Sequence, residues 1–126
     1  MTLADFVAAA LRELRTQFGD DNVSHREDGS GGALVRIATI DLPSPPYNSP
    51  TWLGFQVPYT YPACEIYPVF VRRDLRIDGV VKPPLGLADF DGAPALAISR
   101  KPKSGSSGTA VIKALKVIAF LWEQAR

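Results

Sequence analysis

The sequence predicts an α+β domain in which two terminal helices enclose an antiparallel sheet. Amphipathic segments at 2–18 and 109–122 predict the helices, and four short strand-like segments separated by turns lie between them. Consecutive strands between terminal helices favour a four-stranded antiparallel meander over an alternating βα arrangement. A chain of 126 residues, 46% of them hydrophobic, can bury one core. We therefore predict a single domain that spans residues 1–126.

The first helix is predicted over Thr2 to Phe18. Its apolar residues recur at helical spacing: Leu3, Phe6, Val7, Ala10, Leu11, Leu14 and Phe18. Thr2 followed by Asp5 resembles a capping box, and Gly19 is a natural C-terminal stop.

Four strands are predicted to follow. Asn22–Glu27 is a weak candidate, and Ala33–Leu42 alternates better between its two faces. The glycine-rich stretch 28–32 between them is typical of a hairpin turn. Thr51–Val57 and Ile66–Val71 are the third and fourth strands, and the proline-rich stretch before the third predicts a loop.

Regular periodicity is lost after the fourth strand. Arg72–Gly92 is predicted to be a long irregular loop, and Ala93–Ser99 a short extended apolar segment. Arg100–Gly108 is a basic, flexible loop by composition. The second helix then runs over Thr109–Trp122, with Ser107 or Thr109 as its N-cap.

Composition argues against several classes of function. The 14 Lys and Arg residues nearly balance the 13 Asp and Glu residues, so no basic surface for nucleic acid is expected. No apolar run is long enough to span a membrane, and no signal-peptide pattern is present. One cysteine and one histidine rule out an internal disulfide and a His/Cys zinc cluster. We expect a cytoplasmic protein without a metal or another cofactor.

A proline- and tyrosine-rich corner separates the third and fourth strands. Proline fixes φ and lacks an N–H, so Pro58, Pro62 and Pro68 indicate a rigid crossover packed by aromatic rings. The motif Val57-Pro58-x-x-Tyr61-Pro62, together with the order of elements, resembles the ubiquitin-conjugating (UBC) superfamily. A weaker match is the stretch 92–99, where Ala95 stands at the position of the family's catalytic cysteine.

The chain also departs from that family. It has no His-Pro-Asn motif, since neither His nor Asn occurs after Cys64, and the family's tryptophan before the last helix is missing. These departures resemble divergent bacterial UBC-like proteins encoded in antiphage operons. The resemblance implies a carrier that accepts the C-terminus of a ubiquitin-like protein from an activating enzyme. Its partners would be those two proteins.

Three alternatives for the chemistry remain open. A serine oxyester would use Ser99, with Ser104, Ser106 and Ser107 as alternatives in the following loop. Arg100 and Lys101 would support the oxyanion, and Asp89 or Asp91 would act as the base. The carrier hypothesis prefers Ser99 and requires a groove beside it for the partner's tail.

The second alternative is a thioester on Cys64, because a thiolate is the best nucleophile near neutral pH. A lone cysteine after a Tyr-Pro corner is also typical of a small buried residue. The third alternative is an inert site, as in UBC variants and RWD-type adaptors, which bind partners without covalent chemistry. Ala95 and the missing His-Pro-Asn favour it.

The resemblance also implies a surface that binds partner proteins. In the family the corner after the third strand contacts the activating enzyme or a ligase. The predicted partner-binding residues here are Pro58, Tyr61, Pro62, Ala63, Cys64, Leu3 and Arg12.

Overall fold

The computed structural model describes residues 3–43, 47, 50–61, 66, 69–76, 78–79, 85–98 and 109–124. Within them the chain forms two α-helices and one six-stranded sheet. The elements are α1 (Asp5–Phe18), β1 (Val23–Glu27), β2 (Ala33–Ile40), β3 (Thr51–Val57), β4 (Val69–Arg72), β5 (Leu85–Phe90), β6 (Ala93–Ile98) and α2 (Ala110–Gln124). The strand order is β1-β2-β3-β4-β6-β5, and every neighbouring pair is antiparallel.

The α+β class is confirmed, but the prediction of four strands is wrong. The described chain has six, because a hairpin lies where a long loop and a single extended segment were expected. Asp91 and Gly92 form its two-residue turn, with φ angles of 49° and 80°. Positive φ at both central residues produces the turn twist that closes a tight hairpin. β6 pairs with β4 on its other side, so the hairpin extends the meander by two strands.

Several element boundaries also differ from the predictions. α1 begins at Asp5, with Ala4 at the N-cap position and no side-chain cap, and Thr2 of the expected capping box is outside the described residues. The C-terminal stop is confirmed, since the Gly19 N–H donates to the Arg15 carbonyl. The fourth strand begins at Val69, and Ile66 is buried outside it.

Both helices pack on one face of the sheet. Val7, Ala10, Leu11 and Leu14 of α1 join Ala110, Ala114, Val117 and Leu121 of α2 in a single apolar cluster. The cluster also takes the alternate residues of the strands that point the same way: Val35, Ile37, Leu53, Phe55, Val57, Val69, Val71, Leu96 and Ile98. The period-2 pattern of the strands thus meets the helical stripe of both helices.

A second, smaller aromatic cluster lies on the opposite face of the sheet, here called the outer face. The Phe90 ring centroid is 5.0 Å from that of Phe70 and 6.0 Å from that of Trp52. A Cβ on Gly54 would lie 2.7 Å from the Phe90 ring, so Phe90 occupies the space that glycine leaves open. The Arg36 guanidinium stacks on Trp52, 4.3 Å from the ring centroid. The β5–β6 turn is therefore held against the outer face.

Candidate functional site

The stretch 92–99, which matches the family's active-site segment in sequence, contains β6, and β6 is an interior strand. β6 pairs with β4 along one edge and with β5 along the other. Ala95, which stands at the cysteine position, has no exposed surface, and Leu96 is equally buried. From Ala95 to Ile98, β6 pairs with a strand along each edge, so a partner's tail has no free edge of this stretch to pair with.

The two carboxylates considered as bases are both in ion pairs. Asp91, in the β5–β6 turn, accepts hydrogen bonds from the guanidinium of Arg26 in β1. Asp89 lies 3.3 Å from the Arg73 guanidinium. The hydrogen bond from Arg26, and then its charge, hold the pKa of the Asp91 carboxyl below its usual value. A carboxylate that binds a cation in this way is a weaker base than a free one.

Arg73 holds the β5–β6 hairpin from the side of β4. Its Nε donates to the Ala95 carbonyl at 3.0 Å, and its second guanidinium nitrogen donates to the Ala88 carbonyl at 2.5 Å. The same guanidinium faces Asp89. Arg73 thus bridges both strands of the hairpin. This role is structural, and it leaves the side chain engaged rather than aimed at a substrate.

The corner after β3 positions α2. The Tyr61 N–H donates to the Pro58 carbonyl at 2.9 Å, which closes the turn. Tyr61 is 6% exposed, and its hydroxyl oxygen accepts the N–H of Ala110 at 3.0 Å. This N–H is one of the first-turn donors that a helix cannot satisfy internally. Thr109 accepts a second such N–H, from Ile112, as the sequence predicts for an N-cap.

Among residues 58–61, the described part of this corner, Tyr59 is the most exposed, at 61%. Pro58 is half-buried against the β1–β2 turn. Leu3 packs against the main core. Arg12 is exposed and lines an open cavity of about 540 Å³ between α1 and the start of α2. Thr109 lines the same cavity from the side of α2. The structure therefore places Leu3 and Tyr61 in packing positions and Arg12 on the surface.

The remaining predicted site residues lie outside the described residues. They are Pro62, Ala63, Cys64, Ser99, Arg100, Lys101, Ser104, Ser106 and Ser107. The hypotheses that rest on them, the Ser99 oxyester and the Cys64 thioester, therefore stay predictions.

Two strongly exposed apolar side chains are not among the predicted site residues. Leu87 in β5 is 76% exposed and Phe6 in α1 is 66% exposed, more than any other large hydrophobic side chain that the structure describes. The sequence carries a signal for the strand that contains Leu87, because Asp91-Gly92 is a strong two-residue hairpin sequence and the segments on both sides are apolar. No comparable signal identified Phe6, which fits the apolar spacing of α1.

The described residues include no group of three or more His, Cys, Asp or Glu side chains arranged to hold a metal ion. None of the helices in the described ranges is both long and apolar enough to cross a membrane. Comparisons of the chain with protein-family models, with curated proteins and with solved structures found no match.

Proposed function

We propose that this domain is a UBC-like adaptor that binds partner proteins in a bacterial ubiquitin-like conjugation pathway and carries out no covalent chemistry itself. Its partners would be the ubiquitin-like protein and its activating enzyme, and the pathway would be an antiphage one. The support comes from the residue at the catalytic position. Ala95 has no reactive group and lies fully buried in an interior strand.

The electrostatics of the same region favour the adaptor over the carrier. A carrier that uses serine needs a base to activate the hydroxyl. The two carboxylates that the sequence offered, Asp89 and Asp91, each bind an arginine instead. These ion pairs hold the β5–β6 hairpin in place, so we assign the two residues to the fold.

The exposed apolar side chains give the adaptor surfaces to bind with. Tyr59 projects from the corner that contacts partners in the family that this chain resembles, and it is 61% exposed. Exposed aromatic residues are enriched at protein interfaces because they bury a large area at a low entropic cost. Tyr61, two residues later in the sequence, is buried and anchors α2. We therefore assign contact with the partner to Tyr59 and support of the corner to Tyr61.

Reconstitution tests the adaptor directly. The chain is incubated with ATP, the cognate activating enzyme and the ubiquitin-like protein, and adducts are sought by intact-mass spectrometry. We expect binding in a pull-down without any covalent adduct. Tyr59→Ala should weaken the pull-down, while Glu13→Ala, at an exposed site on α1, serves as the control. An adduct that forms on the wild-type chain would contradict the adaptor.

The carrier is the second candidate, and one observation favours it. Ile98, the last residue of β6, pairs with Leu85, so the described sheet reaches the residue that precedes Ser99 in the sequence. The reconstitution separates the two functions. An adduct that resists reductant and is lost in Ser99→Ala would establish an oxyester. An adduct that reductant removes and Cys64→Ser abolishes would establish a thioester.

A further inference from the structure

The two edges of the six-stranded sheet differ in character. β1 and β5 are the outermost strands. Four residues of β1, Ser24 to Glu27, are polar or charged and exposed, a pattern that blunts an edge against other strands. β5 reads Leu-Gly-Leu-Ala-Asp-Phe and contains neither lysine nor proline. Leu87, at its middle, is 76% exposed.

The hairpin register determines which backbone groups of β5 face outward. Phe90 pairs with Ala93 across the two-residue turn, so these two residues exchange both hydrogen bonds. Because hydrogen-bonded pairs alternate along an antiparallel ladder, Ala88 and Gly86 also bond to β6. Leu87 and Asp89 therefore direct their N–H and C=O groups away from β6. No strand in the described ranges pairs with that edge.

We propose that β5 binds an extended segment of a partner protein, which adds to the sheet as a seventh strand. Backbone donors and acceptors in a row are satisfied by another strand, and recognition by strand addition relies on such edges. The exposed Leu87 side chain supplies an apolar contact beside the backbone hydrogen bonds. The inference does not depend on the proposed conjugation pathway.

The side chains of β5 indicate the sequence of the added segment. Asp89 keeps 76% of its side chain exposed beside Arg73, so a lysine or arginine opposite it can also reach the carboxylate. Leu87, on the same face, favours a β-branched residue. On the outer face, a Cβ at Gly86 would meet nothing within 4 Å, so this position leaves open space. An aromatic residue of the added strand fills such a gap beside a glycine.

The same features argue against a second copy of this chain as the occupant. If two β5 strands paired about a two-fold axis centred on Leu87, Gly86 would face Ala88 of the second copy. Two small residues would then leave the gap on the outer face unfilled, and no cation would reach Asp89 from the paired strand. Charge and shape therefore favour a different chain that alternates a basic or β-branched residue with an aromatic one.

A short peptide provides the test. The probe is an acetylated, amidated seven-residue peptide, Thr-Lys-Phe-Val-Phe-Val-Thr, which places lysine opposite Asp89 and valine opposite Leu87 in an antiparallel pairing. It is titrated into the ¹⁵N-labelled chain. Hydrogen exchange in the free protein should be fast at the N–H groups of Leu87 and Asp89 and slow at those of Ala88 and Phe90. The bound peptide should slow hydrogen exchange at the N–H groups of Leu87 and Asp89.

Two matched controls isolate the backbone hydrogen bonds. N-methylation of both valines removes donors that face β5 and should weaken binding at least about tenfold, whereas N-methylation of both phenylalanines leaves those donors intact. In the protein, Leu87→Pro removes an outward N–H, which an edge strand tolerates, and should abolish binding. Leu87→Val keeps that N–H and an apolar side chain, so it should still bind the peptide.

Several results would overturn the proposal. One is that the peptide causes no chemical-shift change at the amides of β5, and another is that the peptide methylated at both valines binds as tightly as the parent peptide. Slow hydrogen exchange at the Leu87 N–H in the free chain would also overturn it. A dimer at micromolar concentration that Leu87→Pro dissociates would assign the edge to a second copy instead. The peptide controls decide the outcome even if Leu87→Pro fails to fold.

Discussion

The Tyr61 hydroxyl joins the corner after β3 to the first turn of α2, and its removal should destabilise the fold by a defined amount. The Ala110 N–H that it accepts belongs to a residue with no exposed surface. In Tyr61→Phe this donor stays buried without a partner, at a cost of about 1–2 kcal/mol. Tyr61→Ala also removes a ring that is 94% buried, for a total of about 3–5 kcal/mol.

Urea denaturation followed by tryptophan fluorescence measures both losses as shifts in the midpoint. Tyr59→Ala is the matched control, because its ring lies two residues away and is 61% exposed. It should change the free energy of unfolding by less than about 0.5 kcal/mol. If Tyr61→Phe proved as neutral as Tyr59→Ala, the hydroxyl would not support α2. The proposed division between the buried and the exposed tyrosine would then be wrong.

Three further predictions follow from other contacts. The hydrogen bond from Arg26 lowers the pKa of the Asp91 carboxyl, so the ionised carboxylate stabilises the fold above its unfolded pKa of about 4. This stabilisation is lost as the pH falls through the lower pKa of the folded state. In Asp91→Asn, the free energy of unfolding should therefore fall less steeply with decreasing pH in the acid range. Gly54→Ala should destabilise the wild type by about 1–3 kcal/mol, because its Cβ would lie 2.7 Å from the Phe90 ring and 3.0 Å from that of Trp52. The cost should be smaller in a Phe90→Ala background, where only the Trp52 contact remains, and a double-mutant cycle by urea denaturation measures the difference. Burial raises the pKa of Tyr47 to about 12, so one tyrosine should resist ionisation in an absorbance titration until that pH, and Tyr47→Phe should remove this late step.

The sequence predicted the elements whose patterns are local. α1 and α2 are confirmed because each carries an apolar stripe at helical spacing. The β1–β2 hairpin is confirmed as well. Its turn is closed by the Asp28 carboxylate, which accepts the N–H groups of Ser30 and Gly32. Aspartate at the start of such a turn is a strong local signal.

The β5–β6 hairpin escaped prediction although its Asp91-Gly92 turn is a local hairpin signal, because the strands around the turn lack one. Gly86 and Ala88 are poor strand formers, and Leu87 exposes an apolar side chain where a half-buried strand usually has a polar one. What stabilises the hairpin is non-local, since Asp91 binds Arg26 from 65 residues away and Phe90 fills the space above Gly54. Such contacts leave no periodic pattern in a single sequence.

The candidate site was predictable only in its chemistry. The sequence identified Asp89 and Asp91 as a pair of carboxylates beside the aligned segment, and the structure does bring them to one hairpin. It could not show that each is bound to an arginine from another strand or turn. Nor could the alignment of Ala95 with a catalytic cysteine show that β6 is covered on both edges.

The reactivity of a thiol at position 95 tests the central claim most directly. In a Cys64→Ser background, Ala95→Cys and Leu87→Cys are each treated with a chromogenic disulfide reagent under native conditions. Position 95 has no exposed surface and position 87 is 76% exposed. We expect the thiol at 87 to react at once and the thiol at 95 to react only after denaturant unfolds the chain. Equal rates in the folded protein would contradict a buried, inert position at Ala95 and remove the main support for the adaptor.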